Sequence, residues 1–216
     1  TTDGQAMRYA PEWSPNGDYL AFSDKDGKLY AIDIDSRELI NVADEPRGQL
    51  RDYTWSPHGG YLAFSMTDPN EFSSIYVWRL ATRSLHRVTD EFFHEWNPTW
   101  DPDGEFLYYL SDRQFSPQLG SFEWNYLVDR ETGVYALALR RDIEHPLWPE
   151  SDEVVSFSSN DRKTSGGDSV GEEEQTDDSA NDDDSDSDEP IVIHLDGLSN
   201  RVVRLPLPFD NYSGLS

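Results

Sequence analysis

Trp13-Ser14-Pro15-Asn16-Gly17, continued by Asp18-Tyr19-Leu20-Ala21-Phe22-Ser23, is the stretch that decides the fold, because the chain repeats it twice. Trp55-Ser56-Pro57-His58-Gly59 leads into Tyr61-Leu62-Ala63-Phe64-Ser65, and Trp100-Asp101-Pro102-Asp103-Gly104 leads into Phe106-Leu107-Tyr108-Tyr109-Leu110. The three tryptophans stand 42 and 45 residues apart. In each copy proline presets φ and glycine accepts positive φ, which is the chemistry of a tight turn. The flanking apolar residues carry the aromatic and β-branched bias of strands. A repeat of this length holding several short strands is the sequence signature of a β-propeller blade.

Working outward, blade one is expected over residues 9–43. Trp13 ends a first strand, 19–23 form a second, Asp26-Gly27 turns a hairpin, 29–34 form a third strand and 38–42 a fourth. Blade two repeats the scheme over 52–88. Blade three spans 97–142 and contains an aromatic-rich excursion over 112–133. The propeller region is thus expected over 1–157. Residues 158–190 are built from Asp, Glu, Ser, Gly and Asn, a composition that cannot bury enough apolar surface to order itself, and disorder is expected there. A β-hairpin and the start of a next segment are expected over 191–216. The fold class is all-β: a partial propeller of four-stranded antiparallel blades, about three of them plus a terminal hairpin. Propellers close with roughly four to eight blades. The chain is therefore expected to be a segment of a larger protein, or to need another copy or partner to complete its packing.

Bulk composition narrows the function. The 216 residues carry a formal charge of −26, and 13% are aromatic. Residues 164–190 hold twelve acids and no base; without them 31 acids still face 17 bases. Such a surface does not suit nucleic acid, which is bound by clustered Lys and Arg. There is no cysteine, so disulfides, thiolate catalysis and Cys-ligated zinc are excluded. No apolar run approaches the ~20 residues of a membrane helix, and no membrane partner is expected. The cytoplasm is the expected compartment, with the periplasm as alternative.

Candidate sites were weighed one by one. Trp13, Pro15, Gly17, Trp55, Pro57, Gly59, Trp100, Pro102 and Gly104 could form an aromatic ligand cage; packing between blades and turn formation is the reading adopted. Asp24-Lys25-Asp26-Gly27 has the spaced carboxylates of a calcium loop, but it lacks a distal Glu and helical flanks, so a solvated hairpin turn is expected. The five histidines are scattered, none beside an evident nucleophile, and His58 is expected to be exposed in its turn. There is no Gly-X-Ser-X-Gly elbow, catalytic carboxylate pair or phosphate loop. No catalytic residue, metal site or cofactor is therefore expected. Phe115, Phe122, Trp124 and Tyr126 in the excursion are the candidate recognition or docking residues, with packing against the propeller as the alternative.

The Trp-Ser-Pro-X-Gly repeats resemble TolB-type propeller repeats over residues 9–110. Further stretches resemble the late propeller blades of tricorn-like proteases. These are Leu110-Ser111-Asp112-Arg113 with Phe115-Ser116-Pro117, Gly120 to Tyr126, Tyr135 to Asp142, and the tail from Ile193 through Pro208 to Asn211-Tyr212-Ser213-Gly214-Leu215. That resemblance implies a large serine peptidase of the S41 type that degrades short peptides, carries two propellers, a PDZ-like domain and C-terminal catalytic domains, and assembles as an oligomer. Its catalytic residues map onto no position here. What it implies for this chain is a collar that filters or guides peptide substrates and docks the remaining domains. A TolB-like binding scaffold and the propeller of a prolyl-oligopeptidase-type enzyme are the alternatives.

Overall fold

The tight turns close as their residues dictate. In the computed structural model, Gly17 and Gly59 donate their N–H groups to Ser14 and Ser56 at 2.9 and 2.8 Å, and Gly104 donates to Asp101 at 2.9 Å. The first residue of each turn has a second task. Ser14 and Ser56 Oγ accept the backbone N–H of Tyr19 (2.9 Å) and Tyr61 (3.1 Å), and Asp101 Oδ2 accepts that of Glu105 (3.4 Å). A short side chain with an acceptor oxygen is needed there, which is why Ser and Asp alternate at this position.

The structure describes residues 6–114, 117–119, 126–127, 130–143, 146 and 191–215, all within one compact unit. Blade one is a four-stranded antiparallel sheet of β1 (Arg8–Trp13), β2 (Tyr19–Asp24), β3 (Lys28–Asp33) and β4 (Leu39–Asp44). Blade two is β5 (Thr54–Trp55), β6 (Tyr61–Thr67), β7 (Ser73–Arg79) and β8 (Ser84–Arg87). Blade three begins with β9 (Glu95–Trp100) and β10 (Phe106–Asp112). A two-stranded ribbon of β11 (Gln118–Leu119) and β12 (Tyr126–Leu127) intervenes before β13 (Thr132–Ala138). The expected all-β class and four-stranded blades are present. Among the described residues no helix is long and apolar enough to cross a membrane.

The tail differs from its expected hairpin. Ile191–Leu195 contains no strand; His194 instead donates its N–H to the Leu139 carbonyl at 2.9 Å. Asp196-Gly197 does turn, with Gly197 at φ 66°, but into a 3-10 helix (Leu198–Arg201). The following β14 (Val202–Arg204) pairs with β13, Leu137↔Val202 through Tyr135↔Arg204, and so becomes the fourth strand of blade three. The reason is an edge: β13 carries buried Tyr135, Ala136 and Leu137 and would otherwise leave a row of unpaired backbone groups. The acidic segment expected to be disordered lies outside the described residues.

Period-2 alternation sorts each blade into two faces. Leu62, Phe64 and Trp78 of blade two meet Ala21, Leu29, Ala31 and Val42 of blade one in one core layer. Ala63, Ile75 and Val77, on the opposite face, meet Trp100, Leu107, Tyr109 and Leu137 of blade three in a second. The small alanines of one face accommodate the large side chains of the next.

Two glycines separate backbone strain from crowding. Gly17 (φ 78°) has open space where a Cβ would stand; at Gly27 (φ 78°) that Cβ would lie 1.9 Å from the Glu45 carbonyl oxygen. Gly17→Ala is expected to cost about 1–2 kcal/mol for the left-handed conformation alone. Gly27→Ala is expected to cost a further ~1–3 kcal/mol, since the backbone at Glu45, just past β4, must shift. Urea denaturation of the two variants compares them directly.

Candidate functional site

Trp55 and Trp100 are 5% and 8% exposed, buried in the seams. Trp55 donates its indole N–H to the Glu12 carbonyl (3.2 Å), and Trp100 donates to that of Thr54 (3.1 Å). Each acceptor is the residue just before the preceding blade's own tryptophan. Each indole also tilts against an aromatic of that blade, Tyr19 at 6.3 Å and Tyr61 at 6.4 Å between centroids. The packing reading of these residues is thus the observed one for two blades, whereas Trp13 is 58% exposed. The expected turn at Asp24 forms, with Asp24 Oδ1 accepting the N–H groups of Asp26 (2.9 Å) and Lys28 (3.0 Å), but Asp24 itself is buried rather than solvated, because those bonds turn its carboxylate inward onto the hairpin backbone.

Where the first strands of the blades run side by side, polar groups stitch the seams. β1 bulges between Tyr9 and Glu12, with Ala10 at φ 42°, and β9 bulges around Asn97 at φ 53°. A bulge frees backbone groups from the ladder. Here they are satisfied across the seam. The Tyr53 hydroxyl shares its proton between the Tyr9 carbonyl (2.9 Å) and that of Ala10, and accepts the Ser23 N–H (3.2 Å). Asp52 accepts the Ser65 N–H and hydroxyl at 3.0 and 2.6 Å and reaches over to the Asn97 N–H at 2.8 Å. Glu12 accepts the Trp55 N–H at 3.2 Å; burial pushes its carboxyl up, against the hydrogen bonds from Trp55 and Thr54.

The most enclosed charge lies at the root of the 112–133 excursion. Glu95 is fully buried and binds the Arg113 guanidinium at 2.6 Å. Arg113 also donates to the Tyr109 hydroxyl (3.0 Å) and stacks over the rings of Tyr135 (4.4 Å) and Phe93 (5.1 Å). Burial raises the Glu95 carboxyl, opposed by Thr89 and Arg113. This clamp fixes the point where the excursion leaves β10. Of the four residues expected to dock there, Phe115, Phe122 and Trp124 lie outside the described residues, and Tyr126 is described only as backbone of β12.

Sequence reasoning put no histidine beside a nucleophile, yet Ser84 Oγ and His86 Nε2 lie 2.9 Å apart. The signal was available: residues two apart on a strand share a face. No carboxylate orients His86 among the described residues, so the pair lacks a triad's third member. His58 is half-buried rather than exposed. Among the described residues no three His, Cys, Asp or Glu side chains gather as a metal-ligand set. What the arrangement can do is hold a rigid stack of blades and present the loops at their ends.

Residues 1–216 match the family model described as the tricorn protease second beta propeller domain. The crystal structure of the tricorn protease superposes with a TM-score of 0.72 at 15% identity, covering 99% of this chain and 18% of that one. The chain therefore spans less than a fifth of that protein, and the likeness is one of fold. A putative TolB from Agrobacterium tumefaciens (TM-score 0.45, 20% identity, 64% of this chain and 47% of that one) is also similar, as is TolB from Acinetobacter baumannii (0.46, 20%, 65% and 34%). No curated protein sequence matches.

Trp55→Ala is expected to cost about 3–5 kcal/mol, against at most ~1 kcal/mol for Trp13→Ala, when unfolding is followed by circular dichroism. Glu95 supplies a pH test. A raised carboxyl means that the fold holds this proton more tightly than the unfolded chain, whose value is near 4.5. Its contribution to stability is thus lost as pH rises from 4.5 through the folded value. The stability of Glu95→Gln relative to wild type is expected to be flat below that window and to rise across it. Urea midpoints taken from about pH 4 to 8 read this out.

Proposed function

This chain belongs to the family of tricorn protease second β-propeller domains, and on that premise we propose that it is a non-catalytic propeller segment of a tricorn-like serine peptidase, guiding or filtering short peptides and docking the other domains. In this reading the serine nucleophile, its base and the oxyanion hole belong to catalytic domains elsewhere in the parent protein, which works in the cytoplasm as a homo-oligomer. The observation that carries it is the division of labour in the described residues. Tyr53 and Asp52 at the blade ends are spent on hydrogen bonds that cross the seams, and the one Ser–His pair among the described residues stands without an orienting carboxylate. A wall built in this way holds its shape while peptides pass, and among its described residues no group is poised to attack one.

The peptides reach the peptidase body past the blade ends, so length discrimination is the property at stake. The chain alone is expected to hydrolyse no fluorogenic short peptide above a heat-killed control. In the parent peptidase, deleting these blades is expected to keep kcat/KM for the shortest peptides and to raise it for longer ones. Turnover by the isolated chain, or an unchanged length profile after deletion, would sink the reading.

A further inference from the structure

Blade two is packed on both faces, against blade one through Leu62, Phe64 and Trp78 and against blade three through Ala63, Ile75 and Val77. Two phenylalanines at one end of it nevertheless stand in water: Phe92 is 69% exposed and Phe72 37%. Both ride on loops, 68–72 between β6 and β7 and 88–94 between β8 and β9. These loops are firmly built. Asp68 is buried at their centre. Its carboxylate accepts the Ser74 and Tyr76 hydroxyls and lies 3.5 Å from the Arg87 guanidinium. Its carbonyl accepts the Glu71 N–H and Arg47 Nη1, each at 2.9 Å. Arg87 in turn grips Glu91 at 2.7 Å. Asn70 accepts the Phe72 N–H at 3.1 Å and donates to the Glu91 carbonyl at 2.7 Å. The Phe72 and His94 rings tilt together at 4.9 Å, while Phe93 packs under Arg113 and leaves Phe92 outward. Glu71 is held at φ 72°. A non-glycine residue keeps that conformation only where its surroundings over-determine it, and such residues cluster at ligand clamps.

Two exposed carboxylates accompany these rings, Glu71 beside Phe72 and Asp90 two residues before Phe92. Among the described residues neither is ion-paired, and Arg87, the base of the cluster, is spent on Glu91 and Asp68. An aromatic face next to unneutralised carboxylates attracts a cation on an apolar stem: the ring supplies its quadrupole and a surface for the stem, the carboxylates the counter-charge. An acidic segment is repelled from the same place. Resting on the reading that peptides pass this chain, we propose that the Phe72–Phe92 rim is a binding site for basic peptides, taking a Lys or Arg side chain over its rings with Glu71 and Asp90 as counter-charges. The formal charge of −26 gathers the same class of ligand from solution.

Nuclear magnetic resonance titration of the 216-residue chain with acetyl-Lys-Leu-Lys-amide tests this. Saturable shifts confined to the amides of residues 68–72 and 88–94 are expected, with acetyl-Glu-Leu-Glu-amide binding about tenfold more weakly or less still. Phe92→Ala, at a side chain already in water, is expected to weaken binding of the basic peptide by about two- to fivefold, the worth of one exposed cation–π contact, and to leave amide signals away from the rim in place. Combining Glu71→Gln with Asp90→Asn is expected to erase the preference for Lys over Glu, as is salt at about 1 M, where the screening length falls to about 3 Å. Shifts scattered over the surface, equal binding of the acidic peptide, or indifference to Phe92→Ala would each overturn the proposal and leave the rim as a contact for another folded domain. The length profile of the parent peptidase is a separate measurement: it can fail while basic peptides still bind here, and hold while they do not.

Discussion

An indole wedged between two sheets, with its N–H satisfied, is the contact on which the rest of this structure depends. A four-stranded sheet with two apolar faces cannot stand alone in water, and each blade here must cover both. Tryptophan supplies the largest apolar area a single residue can bring, but its one donor must be paired once it is buried. Aiming the N–H at a backbone carbonyl of the neighbouring blade resolves both demands and fixes the angle and depth at which the sheets meet. The alanines facing it leave room, and the tyrosines beside it fill what remains.

The polar groups at the blade ends follow from the same constraint. First strands that run side by side cannot stay regular along their whole length, and they bulge at Ala10 and Asn97. The backbone groups so released are met by Tyr53 and Asp52 across the seam. Strain in one sheet becomes a link between two. The Glu95–Arg113 clamp belongs to this layer as well, holding the departure of the 112–133 excursion in an apolar setting of Tyr109, Tyr135 and Phe93. A rigid wall with loops anchored at its edge is what a propeller scaffold requires.

Much of the fold could be read from local chemistry. The Trp-Ser-Pro-X-Gly phrase encodes its own turn, and alternation in 19–23 and 61–65 encodes two-sided strands. The tail was harder. Ile191–Leu195 and Arg201–Leu205 carry strand-like composition around an Asp-Gly turn, so a hairpin was the natural expectation. Its partner, β13, lies more than sixty residues earlier in the chain, and no local pattern announces that edge. The clamp was equally hidden, since Glu95 and Arg113 meet only through the bulged register of β9 on β10. Ser84 and His86 were findable, being two apart on one strand.

By itself, then, the amino-acid order determined the features whose physics is short-ranged: the turns, the two-faced strands and the blade period. Tertiary structure alone decided which strand completed blade three, which tryptophans were sealed and which stood open, and which charges were forced together out of water. The reason is that turn and strand preferences act over a few residues. Burial, by contrast, is set by whatever surface arrives from elsewhere, and the nearly identical phrases at Trp13 and Trp55 meet different neighbours.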